Sequence, residues 1–179
     1  AGRCVSVTVS LVTCTTALPF PSGVKIEYVR DARELCRAMN SHFDDCDAAI
    51  MAAAVSDYRP KVQATQKIKK ESHDVLNIEL TQNPDILYGL GQKKKGQFLV
   101  GFAAETNDVI EHGKEKLKRK NLDMLVANDV AMPGAGFNVP TNIASLLYKD
   151  GTMEQYPKMT KDELGHIIVE KISEGLKQQ

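Results

Sequence analysis

No stretch of this sequence stays apolar for long: the longest uninterrupted run is Ala48 to Val55, far short of the roughly 20 residues that a bilayer-spanning helix needs. No membrane span is expected. Charge of one sign is equally missing, because 23 Lys and Arg balance 23 Asp and Glu and leave a formal net charge of zero. A global field that would recruit nucleic acid or an acidic membrane surface is excluded, so any anion site must be local. Cysteine is sparse. Cys4, Cys14, Cys36 and Cys46 form no CxxC pair and have no histidine at metal-ligand spacing, which argues against a zinc site or a disulfide framework. They read as buried, reduced thiols of a cytoplasmic protein. There is no internal repeat, no low-complexity tract and no GxGxxG after a strand, since Gly134-Ala135-Gly136 runs into Phe-Asn-Val-Pro rather than a helix. The opening Ala1-Gly2-Arg3-Cys4 carries neither an initiator Met nor a signal-peptide apolar region, and reads as the boundary of a processed fragment.

What is present is ordinary globular composition, 42% apolar and 26% charged over 179 residues, enough for a single domain spanning 1–179. Short apolar runs alternate with longer segments of helical period, the pattern of parallel strands joined by helical crossovers. Strands are predicted over Val5 to Thr13, Val24 to Val29, Asp47 to Val55, Val75 to Leu80, Gln97 to Ala103 and Asp123 to Ala127. The Asp47 to Val55 strand, apolar on both faces, is expected to be central and buried. Helices are predicted over Asp31 to Phe43 with Asp31 as N-cap, from Asn83-Pro84 to about Gln92 with Asn83 as N-cap, and over Thr106 to Arg119. Ser56 to Gln66 and Ala131 to Thr141 read as loops, the latter as a mobile flap. Ile143 to Tyr148 and Thr152 to Tyr156 flank an Asp150-Gly151 turn as a hairpin, and Thr160-x-x-Glu163 is a capping box that opens a last helix. The fold class is α/β: a three-layer, Rossmann-like, mostly parallel sheet with helices on both faces and a C-terminal hairpin plus helix.

Several segments have residue types suited to chemistry, each with a plainer explanation beside it. Ala52-Ala53-Ala54-Val55-Ser56-Asp57-Tyr58-Arg59-Pro60 puts small side chains at the carboxyl end of a strand, where ligands of open α/β sheets sit and where a flat ring approaches the backbone. Tight helix-sheet packing accounts for the alanines as well. Asp57 suits a metal or a sugar hydroxyl, and equally a loop cap. Lys67-Ile68-Lys69-Lys70 suits two or more anionic groups, and equally a solvated strand edge. Lys116 and Lys120, at i and i+4 of a second cationic cluster, share one helix face, where a helix C-terminal cap is the simpler reading. Asn83-Pro84-Asp85-Ile86 and Gly101-Phe102-Ala103-Ala104-Glu105-Thr106 read singly as a helix start and as a strand entering a helix.

Taken in order, and with Lys120-Asn121 and Val126-Ala127-Asn128-Asp129-Val130, these motifs resemble the bacterial phosphopantothenoylcysteine synthetase, or phosphopantothenate-cysteine ligase, family. The resemblance extends from about Val9 to the last helix and includes Gly136-Phe137-Asn138 and Asn142. It implies a ligase that uses CTP to turn the carboxylate of 4'-phosphopantothenate into an acyl-cytidylate with loss of pyrophosphate. Cysteine then displaces CMP, giving an intermediate of coenzyme A synthesis. By carry-over, Met51, Ala52 and Ala53 would meet the nucleotide through backbone, and Asp57 and Lys67 by side chain. Pro84, Asp85, Ile86, Leu87 and Phe102 would border base and ribose, with Lys116 and Lys120 on the phosphates. Lys67 is the catalytic candidate and Asp57 the candidate ligand for Mg²⁺. The family also implies a homodimer and, in many bacteria, a fused or separate flavin-dependent phosphopantothenoylcysteine decarboxylase. Its Gly-rich strand-to-helix turn has no counterpart in Ala1 to Thr8, so these 179 residues are expected to turn over poorly unless that segment is supplied. Two other readings stay open: an NAD(P)-linked oxidoreductase on a similar sheet, and a non-catalytic nucleotide-binding module.

Overall fold

The computed structural model describes residues 7–14, 18–69, 75–105, 109–129 and 139–177. In chain order the elements are β1 (Ser10–Thr13), β2 (Lys25–Tyr28), α1 (Ala32–Phe43), β3 (Ala48–Met51), β4 (Tyr58–Pro60), β5 (Leu80–Gln82), α2 (Ile86–Lys93), β6 (Phe98–Glu105), α3 (Val109–Arg119), β7 (Met124–Asp129), β8 (Thr141–Tyr148), β9 (Met153–Thr160) and α4 (Lys161–Lys177). They group into two compact units, Ala1–Ser41 with Ala54–Asp85, and His42–Ala53 with Ile86–Gln179.

In the first unit β1 and β2 pair in parallel, Ser10 opposite Lys25 through Thr13 opposite Tyr28. Helix α1 starts where the sequence predicts because Asp31 caps it: Asp31 Oδ1 accepts the N–H groups of Arg33 (2.8 Å) and Glu34 (2.9 Å). Glu34 reaches back to accept the N–H of Arg30 at 2.8 Å, which closes a reciprocal box. The bond from the Glu34 N–H, then the Arg33 guanidinium, holds the Asp31 carboxyl down at about 2. A second pair, β4 and β5, is antiparallel, with Tyr58 opposite Gln82 and Pro60 opposite Leu80.

The second unit is a five-stranded sheet of order β3-β6-β7-β8-β9. Its first three strands are parallel, and the β8-β9 hairpin extends it antiparallel. The hairpin turns at Asp150-Gly151: Gly151 has φ 89°, which favours glycine, and Asp150 Oδ1 accepts the Thr152 N–H at 2.8 Å. Strand alternation then divides the core between two faces. Phe98, Val100, Met124, Val126, Ala144 and Leu146 pack against Leu164, Ile168 and Ile172 of α4. On the other face, a Cβ at Gly101 would lie 2.7 Å from Leu87 of α2, and one at Gly113 of α3 would lie 3.2 Å from Leu147 and 3.3 Å from Leu125. This is the expected three-layer arrangement, α2 and α3 on one side and α4 on the other. The capping box that opens α4 is formed: Thr160 Oγ1 accepts the Glu163 N–H (3.2 Å) and Glu163 accepts the Thr160 N–H (2.8 Å).

Several sequence expectations are corrected. The strand at Asp47 to Val55 runs only from Ala48 to Met51 and, in its sheet, lies at the edge rather than the centre, which leaves Ile50 44% exposed. The loop Ser56 to Gln66 contains β4, and the strand predicted from Val75 is assigned only from Leu80. Its partner β4 is three residues long, and Lys61 N–H to Glu79 C=O (2.9 Å) adds one further ladder bond. Helix α2 starts at Ile86, not Asn83, because the Asn83 side chain is used elsewhere, as described below. The cysteines are not buried: Cys14 is exposed and Cys36 and Cys46 are half-buried. Cys4, Lys70, Thr106 and the flap residues 131–138 lie outside the described residues.

Candidate functional site

Each unit supplies part of the candidate set. In the first, motifs 24 residues apart in the chain meet across β4 and β5. The Asn83 N–H donates to the Asp57 C=O (2.7 Å), and Asn83 Nδ2 donates to the Ser56 C=O (2.8 Å). Arg59 Nη1 donates to the Gln82 C=O (2.6 Å) and to Asn83 Oδ1 (3.1 Å). Asn83 therefore clamps the Ser56-Arg59 loop instead of capping α2, and holds Asp57 beside Pro84 and Asp85. Asp57 closes this turn with its backbone carbonyl, and the residue is exposed. Lys67 is exposed on the long connection from β4 to β5.

In the second unit, Met51 at the end of β3 is opposite Gly101 on β6, and Ala52 and Ala53, which follow it past the end of the strand, are both exposed. The two faces of this strand end differ. Leu87 fills the space over Gly101 on the α2 side, with Ile86 buried nearby in sequence, whereas Phe102, opposite Val126, packs into the α4-side core. Lys116 and Lys120 lie in the last turn of α3 and just beyond it, where the Lys120 N–H donates to the Lys116 C=O (2.9 Å). Since α3 links two parallel strands, their backbone sits where β7 begins, at the end of the sheet away from the carboxyl ends of β3 and β6, so the structure does not bring Lys116 and Lys120 together with Met51 and Phe102. Lys116 lines a shallow hollow of about 170 Å³ with His112, Glu115 and Arg119, all on α3. A larger hollow of about 400 Å³, lined by Ile110, Ala127, Ile143, Ser145 and Gln155 among others, is touched by none of the predicted site residues.

Two asparagines to which the sequence assigned no role stand at the same end of the sheet. Asn128 and Asn142 continue the α4-side rows of β7 and β8, and the Oδ1 atom of each is buried with no hydrogen-bond partner among the described residues. Their signal was a polar residue at positions whose neighbours in the row, Val126 and Ala144, are core. Buried amide oxygens are normally satisfied, so this pair marks a polar spot in an otherwise apolar layer. Among the described residues no group of three or more His, Cys, Asp or Glu comes together as a metal cluster, and no helix is long and apolar enough to cross a membrane.

Open α/β sheets take their ligands at the carboxyl ends of their parallel strands, the end at which Ala52 and Ala53 are exposed here. Comparison narrows the class: the model of the DNA/pantothenate metabolism flavoprotein C-terminal domain matches residues 2–176, and the chain belongs to that family, in agreement with the resemblance read from its motifs. It is 40% identical over 171 residues to the coenzyme A biosynthesis bifunctional protein CoaBC of Bacillus subtilis, covering 95% of this chain and 42% of that protein. It is 42% identical over 158 residues to a cysteine/cysteine sulfinic acid decarboxylase from an unknown prokaryotic organism, covering 88% and 44%. The chain thus spans less than half the length of these relatives. Among solved structures, the C-terminal domain of a CoaBC protein superposes with a TM-score of 0.79 at 36% identity, covering 96% of this chain and 76% of that one. A DNA/pantothenate metabolism flavoprotein from Streptococcus pneumoniae, TM-score 0.75 at 22% identity over 92% of this chain and 80% of that one, shares the fold.

Proposed function

We propose that the chain acts in coenzyme A biosynthesis as a ligase that joins 4'-phosphopantothenate to cysteine at the expense of CTP. One observation carries this reading: 95% of the chain aligns with a bifunctional protein named for coenzyme A biosynthesis. A carboxylate is a poor acyl donor because its oxide leaves badly. In the first step a carboxylate oxygen of 4'-phosphopantothenate attacks the α-phosphorus of CTP and pyrophosphate leaves. In the second, the cysteine amine attacks the acyl carbon, loses a proton, and CMP leaves. Both reactants of the first step are anions, so cations must offset their repulsion before attack.

The residues are assigned accordingly. The backbone at Met51, Ala52 and Ala53 meets the nucleotide, with Phe102, Ile86 and Leu87 bordering it in the same unit. The family resemblance also assigns Asp57, Pro84 and Asp85, on the clamped turn, to contacts with the nucleotide. Lys67 is the catalytic cation; Lys116 and Lys120 are assigned to the phosphates by the family resemblance alone, their backbone lying at the far end of the sheet from Met51. Mg²⁺ travels with the triphosphate and commonly takes only one or two protein carboxylates, so the exposed Asp57 suffices to hold it. When bound it supplies positive charge to the triphosphate oxygens. A homodimer, and a decarboxylase partner fused as in the bifunctional relatives, belong to the same reading.

The test is pyrophosphate release in the longest reading frame containing this chain. Release that requires CTP, Mg²⁺ and 4'-phosphopantothenate, with amide product only when cysteine is added, is the expected result. Lys67→Gln should slow release with the fold intact, and Asp57→Asn should weaken Mg²⁺-dependent CTP binding. No release with any nucleoside triphosphate, or specific NADH binding in a fluorescence titration, refutes the ligase.

A further inference from the structure

One face of the β4-β5 ribbon carries a row of charges, and one of them has no counter-charge. The antiparallel ladder continues a pair past each end of its strands, through Asn83 N–H to Asp57 C=O (2.7 Å) and Lys61 N–H to Glu79 C=O (2.9 Å). Alternation therefore puts Asp57, Arg59 and Lys61 on one face, opposite Asn83, Thr81 and Glu79 in turn. Lys61 is paired across the ladder, Nζ to Glu79 Oε1 at 2.6 Å. Arg59 faces Thr81, a neutral hydroxyl, and no carboxylate among the described residues pairs with it.

The guanidinium is nonetheless fixed in place. Arg59 Nη1 donates to the Gln82 C=O (2.6 Å) and to Asn83 Oδ1 (3.1 Å), and Asn83 is itself tied to the Ser56 C=O through Nδ2 (2.8 Å). Since Asn83 stands opposite Asp57, these bonds draw the half-buried side chain towards the Asp57 end of the ribbon. Nε and Nη2 make no hydrogen bond among the described residues. The anchored nitrogen thus leaves open the edge of the guanidinium that matches two oxygens of a carboxylate or a phosphate.

We infer that Arg59 is a substrate-binding residue whose Nε and Nη2 hold two oxygens of an anionic substrate group, from the acyl substrate or from the nucleotide. The inference rests on the ligase reading above, in which Asp57 holds Mg²⁺ and two anions must approach each other. Asp57 and Arg59 are two residues apart on one strand face, about 6.5 Å, so metal and guanidinium bear on neighbouring oxygens.

Calorimetric titration of the longest reading frame containing this chain, with Mg²⁺-CTP and with 4'-phosphopantothenate in turn, tests this without turnover. Arg59→Gln keeps a donor for the Gln82 C=O but removes charge and fork, and should weaken binding of one of the two by about tenfold to a hundredfold. The one that weakens identifies the source of the oxygens. Thr81→Glu leaves Arg59 and its Nη1 bonds in place and sets a carboxylate directly across the ladder, so it should weaken the same substrate, whereas Thr81→Gln should not. A role for Arg59 in bracing the loop alone predicts no loss from Thr81→Glu. If Arg59→Gln fails to fold, the position 81 variants decide. Affinities for both substrates within about threefold of wild type in either Arg59→Gln or Thr81→Glu, or an equal loss from Thr81→Gln, overturn the inference while the ligase stands on its pyrophosphate release. A wild-type chain that binds neither substrate overturns both.

Discussion

Helix α2 contains two glycines for which the structure predicts opposite effects of the same substitution. A Cβ on Gly91 would stand 1.9 Å from the backbone carbonyl oxygen of Lys120 and 2.9 Å from its carbon, whereas a Cβ on Gly89 would meet nothing within 4 Å. The Lys120 contact is rigid on both sides. Asn121, held at φ 51°, donates from Nδ2 to the Gly91 C=O at 2.9 Å, so helix and turn are tied together where the methyl would enter. Gly91→Ala must push α2 off this turn by more than about 1 Å, at the upper end of the ordinary cost of overpacking, about 3 kcal/mol. For a chain of this length that lowers the thermal midpoint by roughly 6–12 °C. Gly89→Ala gains helix propensity in open space and should stabilise by up to about 1 kcal/mol. Calorimetry with urea midpoints at constant m-value reads both. A Gly91→Ala midpoint within about 2 °C of wild type, or equal effects of the two substitutions, would refute the close approach of α2 to the α3-β7 turn.

Asp123 joins β6 to β7 at the start of both strands: its Oδ2 accepts the Leu99 N–H at 2.8 Å and the Lys94 ammonium at 2.8 Å, with the two side chains only 14% and 8% exposed. Asp123→Ala strands that ammonium and should cost about 3 kcal/mol in urea unfolding; a loss under about 1 kcal/mol would contradict the burial. The depressed Asp31 carboxyl stabilises α1 at every pH above its unfolded value near 4, and this contribution is lost as pH falls towards 2. Carboxyl NMR should find Asp31 titrating near the low end of that window, and a midpoint near 4 would refute the cap. Asn83→Ala should release the Ser56-Arg59 loop and lower CTP-dependent pyrophosphate release while leaving the thermal midpoint nearly unchanged; unaltered release would remove the clamp from the proposed site.

The sequence was most legible where one local rule determined the outcome. Asp31, the Thr160-Glu163 box and the Asp150-Gly151 turn are short-range devices whose partners lie within a few residues, and all three are formed. The alternation of Met124, Leu125, Val126 and Ala127 likewise places successive residues on opposite faces of a sheet covered on both sides. Strand position within the sheet was less legible: Ala48 to Met51 is apolar throughout, yet apolarity does not distinguish an edge from a centre. Asn83 was misread because its N-cap chemistry is local, whereas its actual partners, Ser56 and Arg59, are 27 and 24 residues away. At the candidate site the motifs were visible as strings, but not that Leu87 and Phe102 occupy opposite faces, nor that Asn128 and Asn142 bring polar atoms into the α4-side core.

That core has a consequence for how the protein is made. Phe98, Val100, Met124, Val126 and Leu146 wait for Leu164, Ile168 and Ile172 of α4, which emerges after all five strands of the sheet. Until α4 clears the ribosome, the nascent sheet displays an oily side that invites chaperones or misassociation, whereas α2 and α3 are already in place to cover the reverse.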